Sequence, residues 1–328
     1  MKKTGTVNTA STLLWSLAAV PGFIGAVSAS DDKPKDDRVE LFQATPNHGP
    51  WNVPRDDFDQ FLADNADARG NYPIPGPNIS ASVVDPDNID GWSWSVSVAA
   101  DLPFINAPGQ KNESEDPQYY TGGKVVFHAP TSLLDSRPEP HLIVDDKWDM
   151  CLLSWELNHR EYPDKLRTDD GSCKSVLSDE CIADLESKAV INGGSCQCPR
   201  AVDIPSCDRL GDDAHLLLDR TCAAYNLNAT DLRRWKGGRL EVYAWGSTTT
   251  HSKGDTDGYN FFGSLAWPVL ASFGNTTYGH TAKMSCVRAT DGVDGSKAPG
   301  DDGESSASRL SGSLAMTMVA LASAVLLL

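Results

Sequence analysis

The chain has 328 residues, with 45 acidic against 28 basic side chains, a formal net charge of −17 and eight cysteines. That length is enough for one large domain or two small ones with a buried core, and charged residues at 22% argue against wholesale disorder. The acid excess speaks against nucleic acids and anionic membranes as partners, because their phosphates would be repelled.

Residues 1–30 read as a secretory signal. Lys2 and Lys3 precede the apolar run Leu13 to Val20, Pro21-Gly22 breaks it, and Val27-Ser28-Ala29 supplies the cleavage position, after Ala29 or Ser30. The run is too short for a membrane span. Residues 31–77 read as a polar, acidic arm ending in the linker Tyr72-Pro73-Ile74-Pro75-Gly76-Pro77. Within it Phe58, Phe61 and Leu62 fall at helical spacing behind Asp56 and Asp57, which suit a helix N-terminus.

From residue 78 the period turns to two. Trp92, Trp94, Val96 and Val98 alternate with Ser93, Ser95 and Ser97, as in a half-buried strand. Further strands are expected at Lys124 to His128, His141 to Val144, Arg239 to Trp245, Phe261 to Phe273 and Lys283 to Val287. Trp148 to Leu157 is apolar on both faces, which predicts a central strand covered on two sides. Helix signals gather in a cysteine-rich stretch. Ser178 can cap a helix with Ile182 and Leu185, Asp212 or Asp213 can cap another through Leu216 to Leu218, and Thr230 or Asp231 begins a short turn ending near Trp235. The expected fold is mainly β, an antiparallel β-sandwich over 78–289 with a small disulfide-bonded helical insertion at 173–222. Residues 290–305 read as a flexible stalk.

Residues 306–328 read as a removed glycosylphosphatidylinositol signal. Small residues around Ser305, a polar spacer with Arg309 and the uncharged run Leu314 to Leu328 follow in order. Ser305 is the expected attachment residue. A fifteen-residue run with no basic residue after it is short for a spanning helix. Without both termini, residues 31–305 keep 25 bases against 45 acids, a net of −20.

Cys151, Cys173, Cys181, Cys196, Cys198, Cys207, Cys222 and Cys286 all lie between these termini. An even count in a secreted chain implies disulfides. Six crowd between Cys173 and Cys222, as if stapled by three bridges, and a Cys151–Cys286 bridge closing the domain is the matching hypothesis for the two in strand-like runs. Cys196-Gln197-Cys198 lacks zinc-finger or thioredoxin spacing. Asn78, Asn112, Asn228 and Asn275 head glycosylation sequons.

Signatures of chemistry are missing. No metalloprotease, nucleophile-elbow, phosphate-loop or dinucleotide motif occurs, and neither cofactor nor metal is expected. His128 and His159 read as ordinary surface or packing residues. Asp145, Asp146, Asp149 and Glu156 surround the Trp148 strand and could serve a glycosidase, but a solvated acidic rim is the simpler reading. Asp255-Thr256-Asp257-Gly258 and Asp85 to Gly91 resemble calcium loops only in part, and read first as turns. Trp92 and Trp94 share one strand face, as do Tyr243 and Trp245. Each pair reads as packing between sheets, or, if exposed, as a platform for stacking on glycans.

Trp148-Asp149-Met150-Cys151-Leu152-Leu153-Ser154-Trp155, Asp169-Asp170-Gly171-Ser172-Cys173, Cys196-Gln197-Cys198-Pro199 and Gly263-Ser264-Leu265-Ala266-Trp267-Pro268 stand out as landmarks. They resemble secreted, often GPI-tailed proteins of filamentous ascomycete fungi with no assigned activity, over roughly residues 120–290. The resemblance implies a compartment and carries no active site across. The functional expectation is a non-enzymatic, glycosylated surface or cell-wall module. Its expected partner is a cell-wall glycan or a surface protein, and its only membrane contact a lipid anchor. A carbohydrate-active hydrolase with an acidic cleft is the alternative.

Overall fold

A computed structural model describes residues 41–43, 48–82, 87–104, 117–156, 164–189, 196–208, 210, 212–219, 222–275, 277 and 279–300. The segments expected as a secretory signal, 1–30, and as an attachment signal, 306–328 with Ser305, and Asn112 and His159 lie outside them. In chain order the strands are β1 Leu41–Gln43, β2 Ala68–Pro73, β3 Gly76–Pro77, β4 Asn88–Ile89, β5 Ser93–Pro103, β6 Tyr119–His128, β7 Trp148–Trp155, β8 Cys222–Asn228, β9 Arg239–Ser247, β10 Trp267–Asn275, β11 Gly279–Val287 and β12 Asp291–Gly292. The helices are α1 Arg55–Asp64, α2 Asp179–Lys188, α3 Pro205–Asp208, α4 Asp212–Leu218, α5 Ala229–Arg233 and α6 Asp257–Phe262.

The expected antiparallel β-sandwich is found. One sheet has six strands in the order β1-β9-β6-β5-β2-β12 and the other four, β11-β10-β7-β8, with β3 and β4 as a separate pair. Period two decides the faces of β5. Trp94, Val96 and Val98 are at most 1% exposed and point inward, while Ser93, Ser95 and Ser97 point away from the core. Phe127 of β6 centres the inter-sheet packing. Its ring centroid lies 4.5 Å from Trp94, 5.6 Å from Trp92 and 6.5 Å from Phe273 of the opposite sheet.

The four-stranded sheet is covered on both sides, which explains why β7 carries apolar side chains on both faces and is buried except at Asp149. Met150, in register with Phe273, belongs to the inner face. Cys151, Leu153 and Trp155 project to the outer face, where the cysteine-rich insert lies. The Ser178 hydroxyl accepts from the Cys181 N–H and caps α2, as expected, and Glu186 of that helix accepts from the Met284 N–H of β11 at 3.0 Å. The expected helix through Leu217 and Leu218 is present as α4, with Asp212 as its first residue rather than its cap.

The bridges correct the cysteine reading. They are Cys151–Cys196, Cys173–Cys286, Cys181–Cys207 and Cys198–Cys222. Cys151 does not pair with Cys286, because each strand cysteine points outward to a partner in the insert. Only Cys181–Cys207 is internal to the insert. The other three rivet it to strands β7, β11 and β8, so it forms a third layer.

Several boundaries also move. β1 pairs with β9 and β2 with β5, so much of the expected arm is part of the six-stranded sheet. Alternating burial in β2 was masked in the sequence by its Gly and Pro content. Residues 290–300 are no free stalk. Asp291 pairs with Arg69, Lys297 O accepts from the Tyr259 hydroxyl at 2.7 Å, and Ala298 is buried. Phe261 and Phe262 belong to α6 rather than to a strand, and His141 and Leu142 make only isolated bridges. Cys222–Asn228, expected as insert, is a sheet strand. Asn228, not Thr230 or Asp231, caps α5, its Oδ1 accepting from both of their N–H groups.

Candidate functional site

The four aromatic rings expected as stacking candidates are buried. Trp92, Trp94 and Trp245 are 0% exposed and Tyr243 is 7%. Trp92 stacks on Phe127, Trp94 lies against the same ring, and Tyr243 and Trp245 pack on Trp267 at 4.6 and 5.9 Å. This corrects the platform reading: the rings face inward because the strands that carry them present their even or odd set to the core. Burial in this core also pushes the Tyr243 hydroxyl far above its ordinary pKa.

The acidic group around β7 is not brought together for catalysis. Asp145 caps a turn by accepting from Lys147 N, Asp146 pairs with Arg233, and Asp149 projects from the other face of β7 from Trp148, its acidity lowered by burial. Asp255 accepts from Asp257 N at 3.1 Å and helps start α6, which is turn chemistry. Part of the Asp85–Gly91 segment lies outside the described residues, and among those described no cluster of three His, Cys, Asp or Glu could hold a metal. Of the sequon residues, Asn228 is exposed and Asn78 half-buried, but Asn275 is 6% exposed with its Nδ2 buried.

A site missed in the sequence lies on the outer face of the six-stranded sheet, a groove of about 890 Å³. Its floor is a grid set by strand register. Pro73, Ser93, His128 and Arg239 are successive partners across β2, β5, β6 and β9. Asn71, Ser95, Val126 and Glu241 form the next row, and Arg69, Ser97 and Lys124 the third. Strands lie about 4.8 Å apart, so four of them span roughly 14 Å. Serine is short and its neighbours on β6 and β9 are long, which hollows the sheet along β5.

Charge is distributed unevenly over this floor. At one end α1 packs on the sheet through Phe58 and Leu62, both 0% exposed. That packing delivers Arg55 to Glu241 and, at 3.0 Å, to Asp59, which also takes Lys124 Nζ at 2.6 Å. Burial works against both carboxylates. It prevails at Glu241, whose pKa is raised, while at Asp59 the Lys124 and Arg55 hydrogen bonds prevail and the pKa is lowered.

Toward the other end Ser95 Oγ lies 2.6 Å from His128 Nε2. Burial, then the field of Arg239, keeps the His128 pKa below its ordinary value, so the ring is neutral near pH 7. Gly237 and Gly238, at φ 64° and 62°, form the left-handed turn that brings the chain into β9 at Arg239. The serine row was visible in the alternation of β5, but its neighbours depend on non-local register and carried no sequence signal. Compared with known proteins, the chain matches no family model, no curated protein and no solved structure.

Proposed function

We propose that the protein is an extracellular surface module that binds a hydrophilic, extended ligand of the glycan class in the outer-face groove. The observation that carries this reading is the contrast between the two faces of one sheet. Its aromatic residues fill the core, while serines, an asparagine, a histidine and cationic side chains line an open trough of about 890 Å³. Such a surface offers many hydrogen bonds and little apolar area, which suits hydroxyl-rich ligands. All eight cysteines are paired, which supports an oxidising compartment. The secretory start, the lipid-anchor signal, the sequons and the resemblance to secreted, GPI-tailed fungal proteins support display on the cell surface or wall.

A glycan array with the full chain from a secreting host tests the reading, comparing wild type with Ser95→Trp. An indole on the groove floor is expected to abolish binding while the protein still melts cooperatively. Equal binding by that variant would contradict it.

A second reading, polysaccharide hydrolysis, is favoured by one observation. Asp59 and Glu241 share Arg55 in the groove, and their pKa values are shifted in opposite directions, a pattern used by acid–base pairs. Turnover of a wall polysaccharide that is lost in Glu241→Gln would establish it. Binding without turnover supports the module.

A further inference from the structure

We infer that the groove selects a glycan carrying an anionic group, a carboxylate or sulfate, and that Arg239 is the residue that holds it. This rests on the binding role proposed for the groove. Two of the three carboxylates lining the groove are held by cations, and the third, Asp291, accepts from Thr290 Oγ1 at 3.2 Å. Glu241 is held by Arg55, and Asp59 by Arg55 and Lys124. On β2 the Arg69 guanidinium donates to Ala63 O at 3.3 Å. Arg239 is different: it is exposed, and among the described residues its guanidinium makes neither an ion pair nor a hydrogen bond.

Its cross-strand partner is the imidazole of His128, which Ser95 holds in place. A neutral imidazole leaves the Arg239 charge uncompensated but offers a ring nitrogen beside it. The pair therefore presents a planar, two-pronged cation and an adjacent hydrogen-bonding group, the arrangement that matches an oxyanion. Hydroxyl groups of the same ligand would lie over the serine row. In a chain of net charge −17, a locally cationic spot in a groove also gives selectivity, because other anions are repelled from the surrounding surface.

The test is calorimetric titration of the full chain with four probes of matched backbone. Oligogalacturonate is compared with its methyl ester, and dextran sulfate oligosaccharide with neutral dextran. One charged probe is expected to bind about tenfold to a hundredfold more tightly than its neutral counterpart, as a charge-assisted contact provides. The charged arm that binds identifies carboxylate or sulfate as the group. Arg239→Gln is expected to erase the difference and Arg239→Lys to keep part of it. Added salt should weaken only the charged probe. Equal affinity within both pairs, or a preference that survives Arg239→Gln, overturns the inference while leaving the binding role intact. Failure of all four probes, together with no array binding, overturns both.

Discussion

Ser95 and His128 meet at 2.6 Å across two neighbouring strands, on the face of the sheet opposite to the aromatic core. Because both side chains alternate with buried residues, the contact depends on the same register that packs Phe127 against Trp94. The groove is therefore a by-product of the core's pairing.

His128 titration follows from its surroundings. Burial first and Arg239 second depress its pKa, so NMR of the imidazole should place it below the ordinary value, and Arg239→Gln should raise it. The sign of the linked stability is set by the unfolded chain, which binds the proton first. Stability is expected to fall as pH drops from about 6.5 toward the lower folded value, and His128→Gln should remove that component. A folded value above the unfolded one would contradict the account.

Disulfide losses should differ in size. Cys173–Cys286 closes a loop of 113 residues and Cys181–Cys207 one of 26. Chain entropy puts their contributions at roughly 5 and roughly 3.5 kcal/mol. Double alanine variants are expected to melt in that order, with the Cys173/Cys286 pair the less stable. Non-reducing peptide mapping should recover Cys151 joined to Cys196, and finding it joined to Cys286 would be incompatible with the third layer.

Phe127→Ala should cost roughly 3–5 kcal/mol, the usual range for a buried ring replaced by a cavity. Tryptophan emission should shift with it, since Trp92, Trp94 and Trp235 all border that ring. Chemical denaturation measures the change, and a loss under 1 kcal/mol would show that the sheets close around the gap.

Glycan occupancy should divide the sequons. Asn228 is exposed and uses only Oδ1 for capping, which leaves Nδ2 open to a sugar. Asn275 has a buried Nδ2, and its Oδ1 accepts from Thr277 N at 2.8 Å. Glycopeptide mapping is expected to find Asn228 modified and Asn275 bare. A glycan on Asn275 would require β10 to end differently.

Much of the sandwich was legible because Trp94, Val96 and Val98 obey strict alternation, and because β7 is apolar on both faces. Helix α2 was legible through Ser178, a local signal. What escaped was non-local or disguised. β2 hides behind Gly70 and Pro73, and β8 reads as insert because Cys222 and its small neighbours resemble a loop. The disulfide partners depend on which face each cysteine occupies. The groove escaped for the same reason, since Asn71, Ser95, His128 and Arg239 come from four separate strands that only register brings side by side.

Histidine NMR during glycan titration tests the groove most directly. With the best ligand from the array, the His128 ring resonance should move in proportion to saturation, while those of His141 and His215, which lie outside the groove, stay fixed. A His128 signal that does not respond at saturating ligand would contradict the assignment of this face as the binding site.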